Sequence, residues 1–456
     1  MANEQQETQE TENPLEPLDT LESLEGQDLA QIEAQYHGVY ARAKESGTFG
    51  DYAQAANHYE EASSIARAFG EEDERLMDSL ARLAYCQYRL GAARQAEDVY
   101  REVLNLMERF HKSRHPDRFA SVLWALAVLL SDDKRYSEAE ALFRQSMTVT
   151  ENWAGPMDRF VADCLWGLSK CLTNTGKFEE ATQCIKRAIH IYEALPAGEN
   201  AEEFLTTNYS NLGALLMQRG NLKEAVPMLK KAIEMRISLA GDFDSILMNL
   251  CSKLALALIQ EKNYKDSQKY LKQALKIAQG LHGEESDEAA RKMIGLANCL
   301  SLLDKPEPAV KLLKKARKVL TKANALEIDG TLLSACLYEL NNCHQKLGLT
   351  KEMTEGLEAL YALYQSNNFL PKGALYADSL LKLATVNTDA CRYKKARGYL
   401  EEALVVREKL FGKEHKLVAD VLMRLGNCLA KMNLSGEASE VLRRAEQMLV
   451  DLKKRA

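Results

Sequence analysis

Small residues recur along the chain inside a fixed apolar frame, aromatic or Leu, then Ala three positions on, then an apolar residue four further, then often a second Ala. Tyr52, Ala55, Tyr59 and Ala62 show it first, followed by Tyr136, Ala139 and Phe143 and by Phe178, Ala181, Ile185 and Ala188. Leu222, Ala225, Leu229 and Ala232 repeat it, as do Tyr393, Ala396, Leu400 and Ala403. Spacings of three and four place these residues on one helix face, so each segment predicts an amphipathic helix. Registering on the first small position gives Ala55, Ala96, Ala139, Ala181, Ala225, Ser267, Ala309, Met353, Ala396 and Ala438, with gaps of 41 to 44 residues throughout. A period of that length, held over the chain, predicts a repeat architecture.

Each unit carries a second apolar helix upstream. In most units a Leu and a small residue mark it, the latter twelve positions before the registering one: Leu126-Ala127, Leu212-Gly213, Leu254-Ala255, Leu296-Ala297, Leu383-Ala384 and Leu425-Gly426. Small residues on both helices let two antiparallel backbones approach closely. Gly91, Gly176, Gly220 and Gly348 fall between the paired helices, where a turn needs a residue without Cβ strain. The expected fold is all-α, an α-solenoid of about ten helix-turn-helix repeats.

At these residues the chain resembles the tetratricopeptide repeat, whose shorter form recurs about every 34 residues. The longer period, with linkers such as Phe69-Gly70-Glu71-Glu72, His115-Pro116-Asp117 and Phe411-Gly412-Lys413-Glu414-His415, is similar to the kinesin-light-chain subtype. The match departs where Arg42 replaces the usual Leu of the first unit and Met353 replaces Ala in the eighth. The resemblance implies a right-handed superhelix, with the first helix of each unit lining a concave groove and the second facing outward. It also implies protein binding as the function.

Charge changes the picture only at the start. Residues 1–28 hold nine acids and no Lys or Arg, which accounts for more than the formal net charge of −7 and leaves the rest close to neutral. We read 1–28 as a disordered acidic tail and 29–456 as the solenoid. No strong basic field points to nucleic acid, and no long apolar run points to a membrane span. Without an N-terminal basic and apolar signal segment, the expected location is cytoplasmic. The last helix closes on Lys453-Lys454-Arg455 with no further solvating helix, so that end is capped by self-association or by a polar outer face.

Ten cysteines raise metal and catalytic chemistry, yet no Cys-x-x-Cys occurs. Cys86, Cys171, Cys299, Cys343 and Cys428 each lie ten residues before their registering position, a slot held elsewhere by Leu129, Leu215, Ala257 and Val386 and broken only by Glu45 in the divergent first unit. That is a core slot, in which a thiol packs as a small hydrophobe. His111 and His115 are spaced as metal ligands on a helix would be, but they flank a turn at Pro116. No phosphate-binding loop, zincin motif or nucleophile elbow is present, so the chain is read as having no cofactor, no metal and no catalytic site.

The groove positions implied by the resemblance lie 18, 14, 11 and 7 residues before the registering one. They read Arg82, Tyr85 and Arg89 in the second unit, Asp163, Lys170 and Asn174 in the fourth, and Asn211 and Gln218 in the fifth. Asn249 and Lys253 follow in the sixth and Arg291 and Asn298 in the seventh, with Lys382, Arg424 and Asn427 in the last two. Amides and cations of this kind hydrogen-bond a peptide backbone and pair with carboxylates. The sequence therefore predicts a non-catalytic scaffold or adaptor holding a protein or peptide segment in its groove. The alternatives are a peptide sensor that switches conformation on binding and a structural subunit of a larger assembly.

Overall fold

The computed structural model describes residues 28–110, 114–195, 201–323, 330–367 and 370–455. The expected acidic tail falls almost entirely outside them, as does His111. About 85% of the described residues are helical, and no strand occurs among them. Within a unit, helices pair as the register predicts, a first (A) helix followed by the second (B) helix of the same repeat. They cluster into two compact units that divide after Arg219.

The first unit holds α1 (Leu29–Thr48) and α2 (Tyr52–Ala66), α3 (Glu74–Arg89) and α4 (Ala93–Phe110), and α5 (Pro116–Asp132) and α6 (Tyr136–Ala154). It closes with α7 (Arg159–Asn174) and α8 (Phe178–Ala194), then α9 (Ala201–Gln218). The second unit opens with α10 (Leu222–Ala240) and continues through α11 (Ser245–Gln260) and α12 (Tyr264–His282), and α13 (Asp287–Leu302) and α14 (Pro306–Ala323). It ends with α15 (Thr331–Lys346) and α16 (Thr350–Ser366), α17 (Ala374–Asp389) and α18 (Tyr393–Phe411), and α19 (Lys416–Lys431) and α20 (Ser435–Arg455).

Eight of the ten registering residues have no exposed surface, while Ala438 is 3% and Met353 9% exposed. Where Ser267 replaces Ala, its hydroxyl donates to the carbonyl of Ala255 on the facing helix at 3.0 Å, which answers its buried polarity. The eighth repeat solves a volume problem. Asn341 stands at the small position of α15 and Met353 at that of α16, and both are buried. Gly356, one turn beyond Met353, supplies the room, since a Cβ there would lie 2.0 Å from Oδ1 of Asn341.

Every A helix ends in the same turn. The residue five before the registering one has positive φ in all ten repeats, as glycine at Gly50, Gly91, Gly176, Gly220 and Gly348, and as Lys134, Lys262, Asp304, Cys391 and Asn433 in the others. The next amide reaches back to the helix, as Asn263 N does to Leu258 O at 2.8 Å, which closes a Schellman motif. An L side chain in this conformation costs roughly 1–2 kcal/mol, partly offset in glycine by its freer unfolded chain. Lys262→Gly is therefore expected to stabilise the protein by about 0.5–1 kcal/mol, read as a higher urea midpoint at unchanged slope.

The five cysteines of the shared slot are buried, as the register requires. Burial also holds Cys164, Cys251 and Cys336 up at about 12 and Cys184 at about 11, which keeps these thiols protonated and inert. No helix among the described residues is long and apolar enough to cross a membrane.

Candidate functional site: the inner face of the A helices

In each unit the A helices of successive repeats touch one another, α3 with α5 and α5 with α7, and α13 with α15 and α15 with α17. The A helices thus form the more tightly spaced inner layer and the B helices the outer one. The positions read from the sequence as groove-facing lie on this inner layer.

In the first unit the inner face begins with aromatic rings. Arg89 lies 4.4 Å from the centre of the Tyr52 ring and donates to the Tyr85 hydroxyl at 2.8 Å. Arg82 pairs with Asp78 at 3.0 Å, and Asp78 also accepts from the Tyr40 hydroxyl. Farther along, Asp132 accepts from Tyr88 at 2.5 Å and from Lys170 at 2.8 Å, tying α3, α5 and α7 together and holding the Asp132 carboxyl below its ordinary value despite partial burial. The two arginines and Lys170 are therefore bound by neighbours on their own surface.

Beyond them lies a cleft of about 360 Å³ between α7, α8 and α9. It brings together four expected residues, Lys170, Asn174, Asn211 and Gln218, with Trp166, Ile185, Ala214 and Leu215 as apolar wall. Asn174 spends its amide N–H on the carbonyl of Lys170 at 2.8 Å and keeps its oxygen. Asn211 and Gln218 make no side-chain hydrogen bond among the described residues, so their donors and acceptors stay available to a ligand.

The inner face of the second unit is more highly charged. Asn298 donates to Glu339 at 3.0 Å, Asn342 donates to Glu339, and Lys382 donates to Asn342, a chain that crosses three repeats. Burial pulls the Lys382 ammonium below its ordinary pKa, against the opposing pull of Glu339 and Asp378. A cleft of about 610 Å³ follows, lined by Lys382 and Arg424 together with Tyr338, Asp378, Asp420 and Arg407. Arg424 donates to Asp420 at 3.3 Å. Arg407 is only 7% exposed, and pairs with Asp378 at 2.9 Å and Asp420 at 3.3 Å while donating to the carbonyl of Leu417 at 2.8 Å.

The remaining expected residues stand apart from both clefts. Asn249 and Lys253 are exposed on α11, and desolvation holds Lys253 below the usual lysine value. Arg291 is exposed on α13 and meets Glu288 at 3.5 Å, and Asn427 is exposed on α19. Two features escaped the sequence reading. One is exposed apolar surface at groove positions, Leu256 at 54% and Leu302 at 42%. The other is Arg407, eleven residues after its registering Ala396. Most repeats hold an uncharged residue there, such as Met107, Tyr192 or Leu320, so a cation at that position was the available signal.

The adjacent carboxylates Glu401 and Glu402 differ in their surroundings. Glu401 meets Arg397 at 2.7 Å, but Glu402 accepts from the Tyr376 hydroxyl at 2.5 Å and from Lys372 at 3.4 Å. It closes a structural cluster rather than facing bulk water. His115, at the turn, pairs with Glu74 at 2.7 Å. No cluster of three or more His, Cys, Asp or Glu among the described residues is arranged to hold a metal.

Comparison with known proteins bears on the fold. A tetratricopeptide repeat model matches residues 118–194, 244–322 and 375–449, and a second such model matches 208–245. No curated protein sequence matches. Among solved structures, the apo form of RapI is 11% identical, covers 83% of this chain and 99% of its own, and has a TM-score of 0.57. BtubC from P. vanneervenii is 16% identical over 52% of this chain and 91% of its own, with a TM-score of 0.44. A putative kinesin light chain of Podosopora anserina is 16% identical over 47% of this chain and 100% of its own, with a TM-score of 0.42. The family models cover more than half of the sequence, at the same repeats that the small-residue register and the ten matching turns define. The chain belongs to the tetratricopeptide repeat family.

Proposed function

We propose that the protein is a non-catalytic cytoplasmic scaffold that holds an extended segment of a protein partner along the inner face of its A helices. The observation that carries this reading is the α7–α9 cleft. Asn211 and Gln218 line it with unused amides, the Asn174 oxygen stands beside them, and apolar walls flank all three. A side-chain amide offers one donor group and one acceptor, the complement of a peptide unit, so a row of them recognises extended backbone.

Arg82, Lys170 and Arg424 already have carboxylate partners, which makes the inner face electrically mixed. The matching partner segment is polar and mixed in charge, with apolar side chains for the wall of Trp166 and Ile185. A uniformly acidic segment would have to displace those internal pairs.

The test uses peptides selected from a random library on the intact protein. Each lost amide contact costs about 1 kcal/mol, so Asn211→Ala with Gln218→Ala should weaken binding roughly tenfold or more while leaving the melting temperature unchanged. Equal affinity in wild type and double variant would remove this cleft from the binding surface.

A further inference from the structure

The helices α12 and α14 carry ten lysines and arginines against two carboxylates, Asp266 and Glu307. The lysines occupy repeat-equivalent positions. Lys269, Lys272 and Lys276 lie two, five and nine residues after Ser267, and Lys311, Lys314 and Lys318 lie at the same offsets after Ala309. Spacings of three and four set each trio on one helix face, and equivalence sets the two trios on successive B helices. All six side chains are exposed.

Two other B helices, α4 and α6, treat the position five after the registering residue differently. Arg101, five after Ala96, meets Glu97 on its own helix at 2.7 Å and Glu138 on the next B helix at 3.7 Å. Arg144, five after Ala139, meets Glu140 at 2.9 Å and Glu180 at 2.7 Å in the same way. In the sixth repeat the two carboxylate positions hold Gln268 and Pro308, so Lys272 has neither partner. Of the ten cations, only Lys322 is in an ion pair among the described residues, with Glu285 at 2.9 Å. Like charges left side by side repel, so the repeat bears a cost here that it removes elsewhere.

An apolar group continues the lysine stripe. Gly280 follows Lys276 by four residues on the same face, and the Phe243 ring lies over it, since a Cβ at Gly280 would fall 2.8 Å from that ring. Lys276 sits 5.5 Å from the ring centre, yet Phe243 remains 51% exposed and the neighbouring Leu281 43%. Without Cβ at Gly280, the ring rests against the helix and still faces solvent.

We infer that the outer face of α12 and α14 docks on an anionic lipid bilayer, with the lysines at the headgroups and Phe243 at the interface. The charge complementarity is that of a surface presenting many negative groups at once. The exposed ring and Leu281 at the end of the stripe favour a bilayer over a nucleic acid, whose phosphates would need the lysines alone. This site is separate from the inner face and independent of the peptide-binding reading.

The test is co-sedimentation of the full chain with phosphatidylcholine vesicles, with and without phosphatidylserine, and retention on duplex DNA at matched salt. Binding is expected only with phosphatidylserine and should weaken as salt rises. Each lysine near such a surface contributes about a fivefold factor, so Lys269→Glu, Lys272→Glu, Lys311→Glu and Lys314→Glu together should lower vesicle binding by a hundredfold or more. Phe243→Ser should lower it several-fold with the lysines intact. Removing repulsion leaves the quadruple variant at least as heat-stable as wild type, so loss of binding is distinguishable from unfolding. Absence of binding to phosphatidylserine vesicles at low salt overturns the proposal. So does binding that the four lysines do not influence, or retention on DNA by a protein that ignores vesicles.

Discussion

Ala181→Arg is expected to destabilise the protein by roughly 3–5 kcal/mol, enough to unfold a marginal repeat array. Ala181 has no exposed surface and sits on α8 where that helix meets α7. A guanidinium there has neither water nor a carboxylate to meet, and its stem overfills a seam built for a methyl group. Ser267 shows what the position tolerates, a hydroxyl small enough to fit and able to donate to the facing helix. Ala181→Ser should accordingly cost about 1 kcal/mol or less, and the contrast between the two variants in urea denaturation isolates size and charge from simple polarity. An unchanged midpoint for the arginine variant would mean that the register does not mark the helix seam.

Arg407→Ala should cost about 2–4 kcal/mol, because it removes the cation between Asp378 and Asp420, takes one donor from the Leu417 carbonyl and opens a cavity beneath α17 and α19. Asp378 and Asp420 are 42% and 44% exposed, so water screens the two carboxylates once the guanidinium is gone and keeps the loss below that of a fully buried pair. Arg407→Met fills the volume without the charge and should recover a large part of the loss. If both variants melted alike, packing rather than charge would be the smaller part of what Arg407 does.

The register of small residues was legible because a helix–helix seam leaves little choice of side-chain volume. The same holds for the buried cysteine slot, whereas the turn that every A helix shares was legible only at Gly91, Gly176, Gly220 and Gly348. At Met353 the volume rule is broken, and only the neighbouring Gly356 and the facing Asn341 explain how, a compensation that crosses between helices and leaves no periodic trace.

Groove positions were legible as a face but not as an environment. Offsets within a repeat say which way Lys170 or Arg82 projects, yet the carboxylates that hold them, Asp132 and Asp78, depend on how neighbouring side chains meet. Arg407 was missed because it lies on a B helix, outside the offsets that the resemblance marks. In the sequence the lysines of α14 look like any solvated helix face. Their contrast with the clamped arginines of α4 and α6 is visible only once neighbouring B helices stand side by side.

The central claim is that a partner segment lies along the A helices. Photo-crosslinking tests it most directly, with a selected binding peptide carrying a benzophenone side chain at successive positions and mass spectrometry locating each adduct. The account predicts adducts on α7 and α9, at residues such as Trp166 and Ala214 that line the cleft with Asn211 and Gln218. Adducts confined to the outer faces of the B helices would contradict it.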